Sequence, residues 1–255
     1  MIPKTIHYCW FGGNPLPPLA VKCIKSWKKY CPDYEIIEWS EKNFDVSSAP
    51  LYVRQAYEAK KWAFVTDYVR LYAMTTCGGV YMDTDVELVK PIDTYLSHEA
   101  FSGFEDDTHI PTGIMACRKD FPLFRKFLSY YDTAEFYNPD GSISYITNVT
   151  TITSICLSLG FIPNGEYQEI SGFALYPKDF FCPIDFKTKK LMKTKNTVCI
   201  HWFSGSWVSK ELIQKQKKRK RAEKIDRIKH FPNRLGRKLL GDKRYEALKA
   251  KLKGN

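Results

Sequence analysis

The chain has 255 residues, 44% of them hydrophobic and 15% aromatic. At this length folding buries about three quarters of the surface that the unfolded chain exposes, which excludes a disulfide-stapled miniprotein and a wholly disordered chain. The formal charge of +11 is confined to one end: residues 208–255 hold 18 Lys plus Arg against 5 Asp plus Glu, whereas residues 1–207 hold 21 against 23. Attraction to nucleic acid or anionic lipid is therefore a question about the tail alone. No apolar run reaches the length of about eighteen residues that a membrane span needs. The N-terminus lacks the basic-then-apolar order of a signal peptide, so the expected compartment is intracellular. Cysteines at 9, 23, 31, 77, 117, 156, 182 and 199 form no CxxC pair. That disfavours a zinc site or a thioredoxin-like motif and fits reduced, mostly buried thiols.

In chain order, the β-branched and aromatic stretch at 2–11 predicts a strand, broken by Gly12-Gly13-Asn14-Pro15. Residues 17–30 place Leu19, Cys23, Ile24 and Trp27 at helical spacing, and Cys31-Pro32-Asp33 ends the pattern before a strand at 34–39. A helical region at 51–76 follows, then the turn Cys77-Gly78-Gly79 and a strand at 80–89 closed by Lys90-Pro91. Further along, helices are expected at 121–131 and 145–159, with short strands at 173–176 and 198–203. Strands alternating with helices predict an α/β fold with a mostly parallel central sheet covered on both faces. In the tail, leucines and isoleucines spaced among lysines predict basic amphipathic helices interrupted at Pro232 and Gly241.

The sharpest chemical feature is Asp83-Thr84-Asp85 within VYMDTDVELV. Along a strand alternate residues share a face, so Asp83 and Asp85 point together with Tyr81 and Glu87, while Val80, Met82, Val86 and Leu88 face the other way. Burying two converging carboxylates costs several kcal/mol, about the scale of an unpaired buried charge, unless a cation sits between them. Oxygen ligands favour Mg²⁺ or Mn²⁺. A bare DxD is more often a solvated strand end, so the motif gains weight only from its context. Upstream, Trp62, Val65, Val69 and Tyr72 mark one face of a helix, with Asp67 and Arg70 together on the opposite side. Either this is an exposed ion pair of small energetic consequence, or it is a nucleotide-binding pair, with an Arg fork for an anion and an Asp acceptor for ribose hydroxyls.

Four ordered segments, IPKTIHYCWFGG, SWKKYCPDYEIIEW, FVTDYVRLYAMTTCGGVYMDTDVEL and HWFSGSW, cover about residues 1–207. Together they resemble the DxD-containing sugar transferases of glycosyltransferase family 32, which includes yeast-type α-1,6-mannosyltransferases and bacterial capsular polysaccharide transferases. The core of the clostridial glucosylating toxins shares this signature. The resemblance implies a GT-A fold, a nucleotide-diphospho-sugar donor and transfer with retention at the anomeric carbon. It implies that Trp10 stacks on the base, that Asp67 and Arg70 hold ribose and sugar, and that Tyr81 lines the nucleoside pocket. Asp83 would touch ribose or sugar and count among the metal ligands, Asp85 would bind Mn²⁺ or Mg²⁺, and His201 would be a metal ligand or phosphate donor. Ser206 and Trp207 would fold over the diphosphate.

From the residues alone, Trp10 suits a stacking platform beside Gly12 and Gly13 or simple core packing, and His201 suits a lid or a hydrogen-bonded core position. The metal and a dry site make most of the catalysis electrostatic, with Asp83, Asp85 and Asn148 as candidate catalytic residues. Asp106 and Asp107 are further candidates near the sugar, while Glu166 and Glu169 read as surface residues. The stretch TNVTTIT around Asn148 departs from the family's usual small-residue and proline motif.

The expected protein is thus a metal-dependent retaining transferase with a catalytic domain at 1–207 and a basic helical tail at 208–255. Its donor is expected to be a UDP-sugar, and its acceptor a lipid-linked oligosaccharide in capsular or exopolysaccharide synthesis. The tail suits a solvated helix face or the anionic inner face of the plasma membrane. Nucleic acid is not an expected partner, since the tail has few aromatic residues for stacking. Rival readings are an effector that glycosylates protein and a non-catalytic adaptor built on a decayed transferase core.

Overall fold

The apolar opening of the chain forms β1 (Thr5–Cys9), the centre of the parallel part of the sheet. The computed structural model describes residues 1–185 and 188–205, so Ser206, Trp207 and the expected tail helices lie outside the described residues. α1 (Pro18–Tyr30) begins with proline at its first turn, where a missing N–H costs nothing, and buries Ala20, Cys23 and Trp27 at helical spacing. β2 (Glu35–Trp39) pairs parallel with β1, in register from Thr5 opposite Glu35.

The helical region expected at 51–76 is two helices, α2 (Leu51–Glu58) and α3 (Trp62–Cys77). Lys60 between them adopts φ 54°, a left-handed break that no Gly or Pro announces. α3 ends at the expected double glycine. Gly78 has φ 69° and Gly79 φ 113°, and a Cβ on Gly79 would lie 2.7 Å from the Thr5 carbonyl, so only glycine lets β3 (Gly79–Met82) enter beside β1.

The strand expected at 80–89 is also divided. After β3 the chain turns at Asp83-Thr84-Asp85, with the Val86 N–H donating to the Asp83 carbonyl at 2.9 Å. It then enters β4 (Val86–Leu88), which leaves the main sheet and pairs antiparallel with β9 (Cys199–His201). The remaining elements are β5 (Ala100–Gly103), β6 (Ile114–Cys117), α4 (Pro122–Ser129), α5 (Asn148–Leu157), β7 (Gln168–Ile170), β8 (Phe173–Tyr176) and α6 (Lys178–Phe181). β5 and β6 have no counterpart in the sequence reading. Each is only four residues long and wholly buried, so neither shows the alternation that betrays a half-exposed strand.

The main sheet has the order β2-β1-β3-β6-β5-β8-β7. β2, β1, β3, β5 and β8 run in one direction, with β6 and β7 reversed, which is the mostly parallel α/β sheet expected. Side chains alternate strictly between its two faces. Tyr81, Met115, Cys117, Ala100, Phe173 and Leu175 pack with residues of α2, α3, α4 and α5. Val80, Met82, Ile114, Ala116, Phe101 and Ala174 pack with α1, β4 and Phe181. This three-layer core carries the ends of β1, β3 and β5 to one edge, where α/β sheets bind ligands. All eight cysteines are free, and seven are buried.

Candidate active site

Asp83 follows the last residue of β3, and its N–H donates to the Gly113 carbonyl at 2.8 Å, which fixes it to the loop before β6. The turn then carries Asp85 toward β9, because Val86 stands opposite His201 in the small sheet. One ligand atom each from Asp83, Asp85 and His201 lies within 4.8 Å of the others. The two carboxylates therefore converge as expected, but through a turn between two sheets rather than along one strand face. Glu87, expected to share that face, instead accepts from Lys22 Nζ at 2.7 Å and Trp202 Nε1 at 2.9 Å.

Asp85 is held on several sides. His201 Nε2 lies 3.3 Å from its Oδ1, the Ser204 N–H donates to its Oδ2 at 2.8 Å, and the Trp202 N–H donates to its carbonyl at 3.0 Å. Burial alone would raise its pKa, but the hydrogen bond and charge of His201, with the Ser204 N–H, outweigh it and lower the carboxyl to about 2. Burial pulls His201 the other way, yet the charges of Asp85, Asp83 and Glu105 leave its pKa raised. A Cβ on Gly113 would lie 2.7 Å from the His201 ring, so glycine there is what lets the imidazole lie against this loop.

Arg70 ties the second half of the site together. Its Nη1 donates to the Thr112 carbonyl at 2.7 Å and lies 3.2 Å from Asp83 Oδ1, while Nη2 lies 3.2 Å from Asp67 Oδ1. Its guanidinium also covers the Tyr81 ring at 4.8 Å, and the Tyr81 hydroxyl donates to Asp83 Oδ1 at 2.9 Å. Asp67 is 9% exposed and Arg70 5%, so the pair is buried, and a solvated surface ion pair is excluded. Burial opposes charge on Arg70, but Asp83 first, then Tyr81 and Asp67, keep its pKa above the usual value. Because that cation is shared with Asp83, burial still dominates at Asp67 and pushes its carboxyl up to about 6.

Asn148 opens α5, fully buried, with its side-chain N–H donating to the Asp67 carbonyl at 2.9 Å. Its Oδ1 and His201 Nδ1 are buried polar atoms without a partner among the described residues. Trp10 follows β1 at the same sheet edge, half-buried, with its Nε1 donating to the Asn14 carbonyl. Tyr81 is 1% exposed and lies beneath Arg70 rather than beside open space. Asp106 is occupied by Thr108 and His109, Asp107 is exposed, and Glu166 and Glu169 lie at the surface. Residues the sequence reading did not single out are Thr112 and Gly113, which hold Arg70, Asp83 and His201, and Glu105, described below.

Two carboxylates and an imidazole with an unsatisfied nitrogen are a donor set suited to a divalent cation, so the residues present fit one. Residues 17–102 match the family described as a glycosyltransferase sugar-binding region containing a DXD motif. That span includes Asp67, Arg70, Asp83 and Asp85. Over this region the chain is similar to the sugar transferases of glycosyltransferase family 32. It is 29% identical over 171 residues to inositol phosphoceramide mannosyltransferase 3 of Schizosaccharomyces pombe, covering 65% of this chain and 48% of that protein. It is 25% identical over 158 residues to mannosyl phosphorylinositol ceramide synthase CSH1 of Saccharomyces cerevisiae, covering 58% of this chain and 39% of that protein. The chain thus spans less than half the length of these curated relatives. Among solved structures, the PaToxG glycosyltransferase aligns with a TM-score of 0.45 at 17% identity, over 62% of this chain and 70% of that one.

Proposed function

We propose that this chain is a member of glycosyltransferase family 32 and transfers a sugar, with retention, from a nucleotide-diphospho-sugar to a glycan acceptor. The observation that carries the reading is the convergence of Asp83 and Asp85, within the DXD region, with His201 from β9 at the carboxyl edge of the sheet. A divalent cation bound there, Mn²⁺ or Mg²⁺, would neutralise the leaving diphosphate. The chain's own residues do the positioning. Arg70 holds Asp67 and Asp83 at fixed distances, so both carboxylates are preorganised before substrate arrives. Asn148 backs Asp67 from α5 through its side-chain N–H. Trp10 supplies the aromatic face for the base at the β1 end of the same edge.

UDP is the proposed nucleotide, on the bacterial resemblance of the sequence. A lipid-linked acceptor, as in capsular or exopolysaccharide synthesis, is supported by relatives named for inositol phosphoceramide. The catalytic unit proposed is 1–207, with the tail at 208–255 as a membrane-association segment on the inner leaflet; no described helix is long and apolar enough to cross a membrane. The test is donor hydrolysis with UDP-glucose, UDP-galactose and GDP-mannose, with and without Mn²⁺, by wild type and Asp85→Asn. Metal-dependent release of one nucleoside diphosphate by wild type, lost in the variant, supports the reading. Equal release from both proteins overturns it.

A further inference from the structure

The transfer reading assigns the nucleoside to the β1 end of the sheet edge and the diphosphate to the turn after β3. Next along that edge comes the end of β5, separated from β3 by the reversed strand β6. The chain leaves β5 through Phe104, fully buried, into Glu105-Asp106-Asp107. These three acidic residues have different fates. Asp106 spends its carboxylate on the N–H groups of Thr108 and His109 and on the His109 ring, closing the loop on itself. Asp107 points to solvent. The Glu105 N–H donates to the His109 carbonyl at 2.8 Å, which fixes its backbone, yet its half-buried carboxylate has no hydrogen-bond or ion-pair partner among the described residues.

That carboxylate is within electrostatic reach of the centre. The charges of His201 and Asp83 act on it, as do those of Asp106 and His109. It is not one of the groups whose ligand atoms converge for a metal. His201, whose charge acts on Glu105, also keeps its Nδ1 buried without a partner among the described residues. A half-buried carboxylate that no described residue donates to is open to donors from substrate. What lies immediately beyond the diphosphate in a nucleotide-diphospho-sugar is the sugar, whose hydroxyls are such donors.

We infer that Glu105 is a specificity-determining residue, accepting hydrogen bonds from hydroxyls of the transferring sugar and selecting a neutral sugar over an acidic one. The inference rests on the transfer reading and deepens it. The charges of Asp83 and Asp106 already act on the Glu105 carboxylate, so a uronic acid would add a further negative charge there, whereas a hexose brings only donors.

The test is calorimetric titration, in Mn²⁺, of wild type, Glu105→Gln and Glu105→Ala with UDP, UDP-glucose, UDP-glucuronate, GDP and GDP-mannose. The bare diphosphate that wild type binds should bind all three proteins within about twofold. The advantage of its neutral nucleotide sugar over that diphosphate should fall about tenfold in Glu105→Ala and be partly restored in Glu105→Gln. If UDP is that nucleotide, Glu105→Gln should also narrow the discrimination against UDP-glucuronate. Unchanged sugar affinity in both variants overturns the inference, as does a parallel loss of diphosphate binding, which would place Glu105 on the metal. Wild type binding none of the five would instead defeat the transfer reading itself. Because no described residue hydrogen-bonds or ion-pairs with the Glu105 carboxylate, both variants should melt with wild type.

Discussion

Arg70 is the cation shared by Asp67 and Asp83, and replacing it with methionine leaves both carboxylates behind without a large cavity. The side chains are 6% exposed at Arg70, 12% at Asp67 and 28% at Asp83, so the main penalty falls on Asp67. Removing one partner of a buried pair costs about 3–5 kcal/mol. The Thr112 carbonyl loses its donor as well, for roughly 1 kcal/mol more, while solvent screens much of the effect at Asp83. We expect a loss of about 4 kcal/mol at pH 8, a large share of the 5–15 kcal/mol typical of a domain. Urea denaturation followed by tryptophan fluorescence measures it. The sign of its pH dependence follows from Asp67, whose folded pKa is already raised to about 6 by burial against the opposing charge of Arg70. Without Arg70 that pKa rises further above its unfolded value. Ionised Asp67 then destabilises the fold above the folded pKa, and the penalty is relieved as the pH falls and it takes up a proton. The difference between variant and wild type should therefore shrink from pH 8 to pH 5. A loss under about 1 kcal/mol at pH 8, or one that grows on acidification, would refute a buried shared cation.

His201 must shed its proton to bind a metal, and its pKa is raised by Asp85 and its acidic neighbours against the effect of burial. Mn²⁺ affinity should accordingly fall as the pH drops from 8 to 6, by up to about tenfold per unit; calorimetry giving a flat profile contradicts its role as a ligand. Gly113→Ala places a methyl 2.7 Å from the His201 ring, so the protein should lose about 1–3 kcal/mol and weaken in Mn²⁺ binding together. Unchanged Mn²⁺ affinity in a folded Gly113→Ala protein would show that displacing the His201 ring does not reach the metal. The circular dichroism of Asn148→Ala should match wild type while nucleotide-sugar affinity falls several-fold, since the amide holds Asp67 from behind; equal affinity would remove Asn148 from the site.

The candidate residues were legible in the sequence, since Asp67, Arg70, Asp83 and Asp85 stand close together in one segment, and the fold brings them to one place. Its geometry was less legible. Apolar alternation continued through Val80, Met82, Val86 and Leu88, and all four do face one layer, yet between them the chain changes sheets. That turn is set by pairing with β9, more than a hundred residues downstream, which no local pattern encodes. The α3 face carrying Asp67 and Arg70 was read as the polar side of an amphipathic helix, but α5 and the loop before β6 cover it. Four-residue strands buried on both faces, such as β5 and β6, carry no period to detect. Missing them hid Glu105: without a strand ending at Gly103, Glu105-Asp106-Asp107 reads as a uniform acidic run, and nothing sets apart the residue next to the strand end. The signal that could have found it is Phe104, an apolar residue directly before the run.

The proposed activity depends on a metal-coupled nucleotide site at Asp83, Asp85 and His201. Melting temperatures of wild type and Asp85→Asn, with UDP, GDP, CMP and ADP in the presence and absence of Mn²⁺, test it directly. A ligand at 100 times its dissociation constant adds about 2.7 kcal/mol to stability. One nucleoside diphosphate should raise the melting temperature of wild type only with Mn²⁺ and leave the variant unmoved. A shift of equal size without Mn²⁺, or in Asp85→Asn, would contradict the site, and no shift with any nucleotide would contradict the transfer reading.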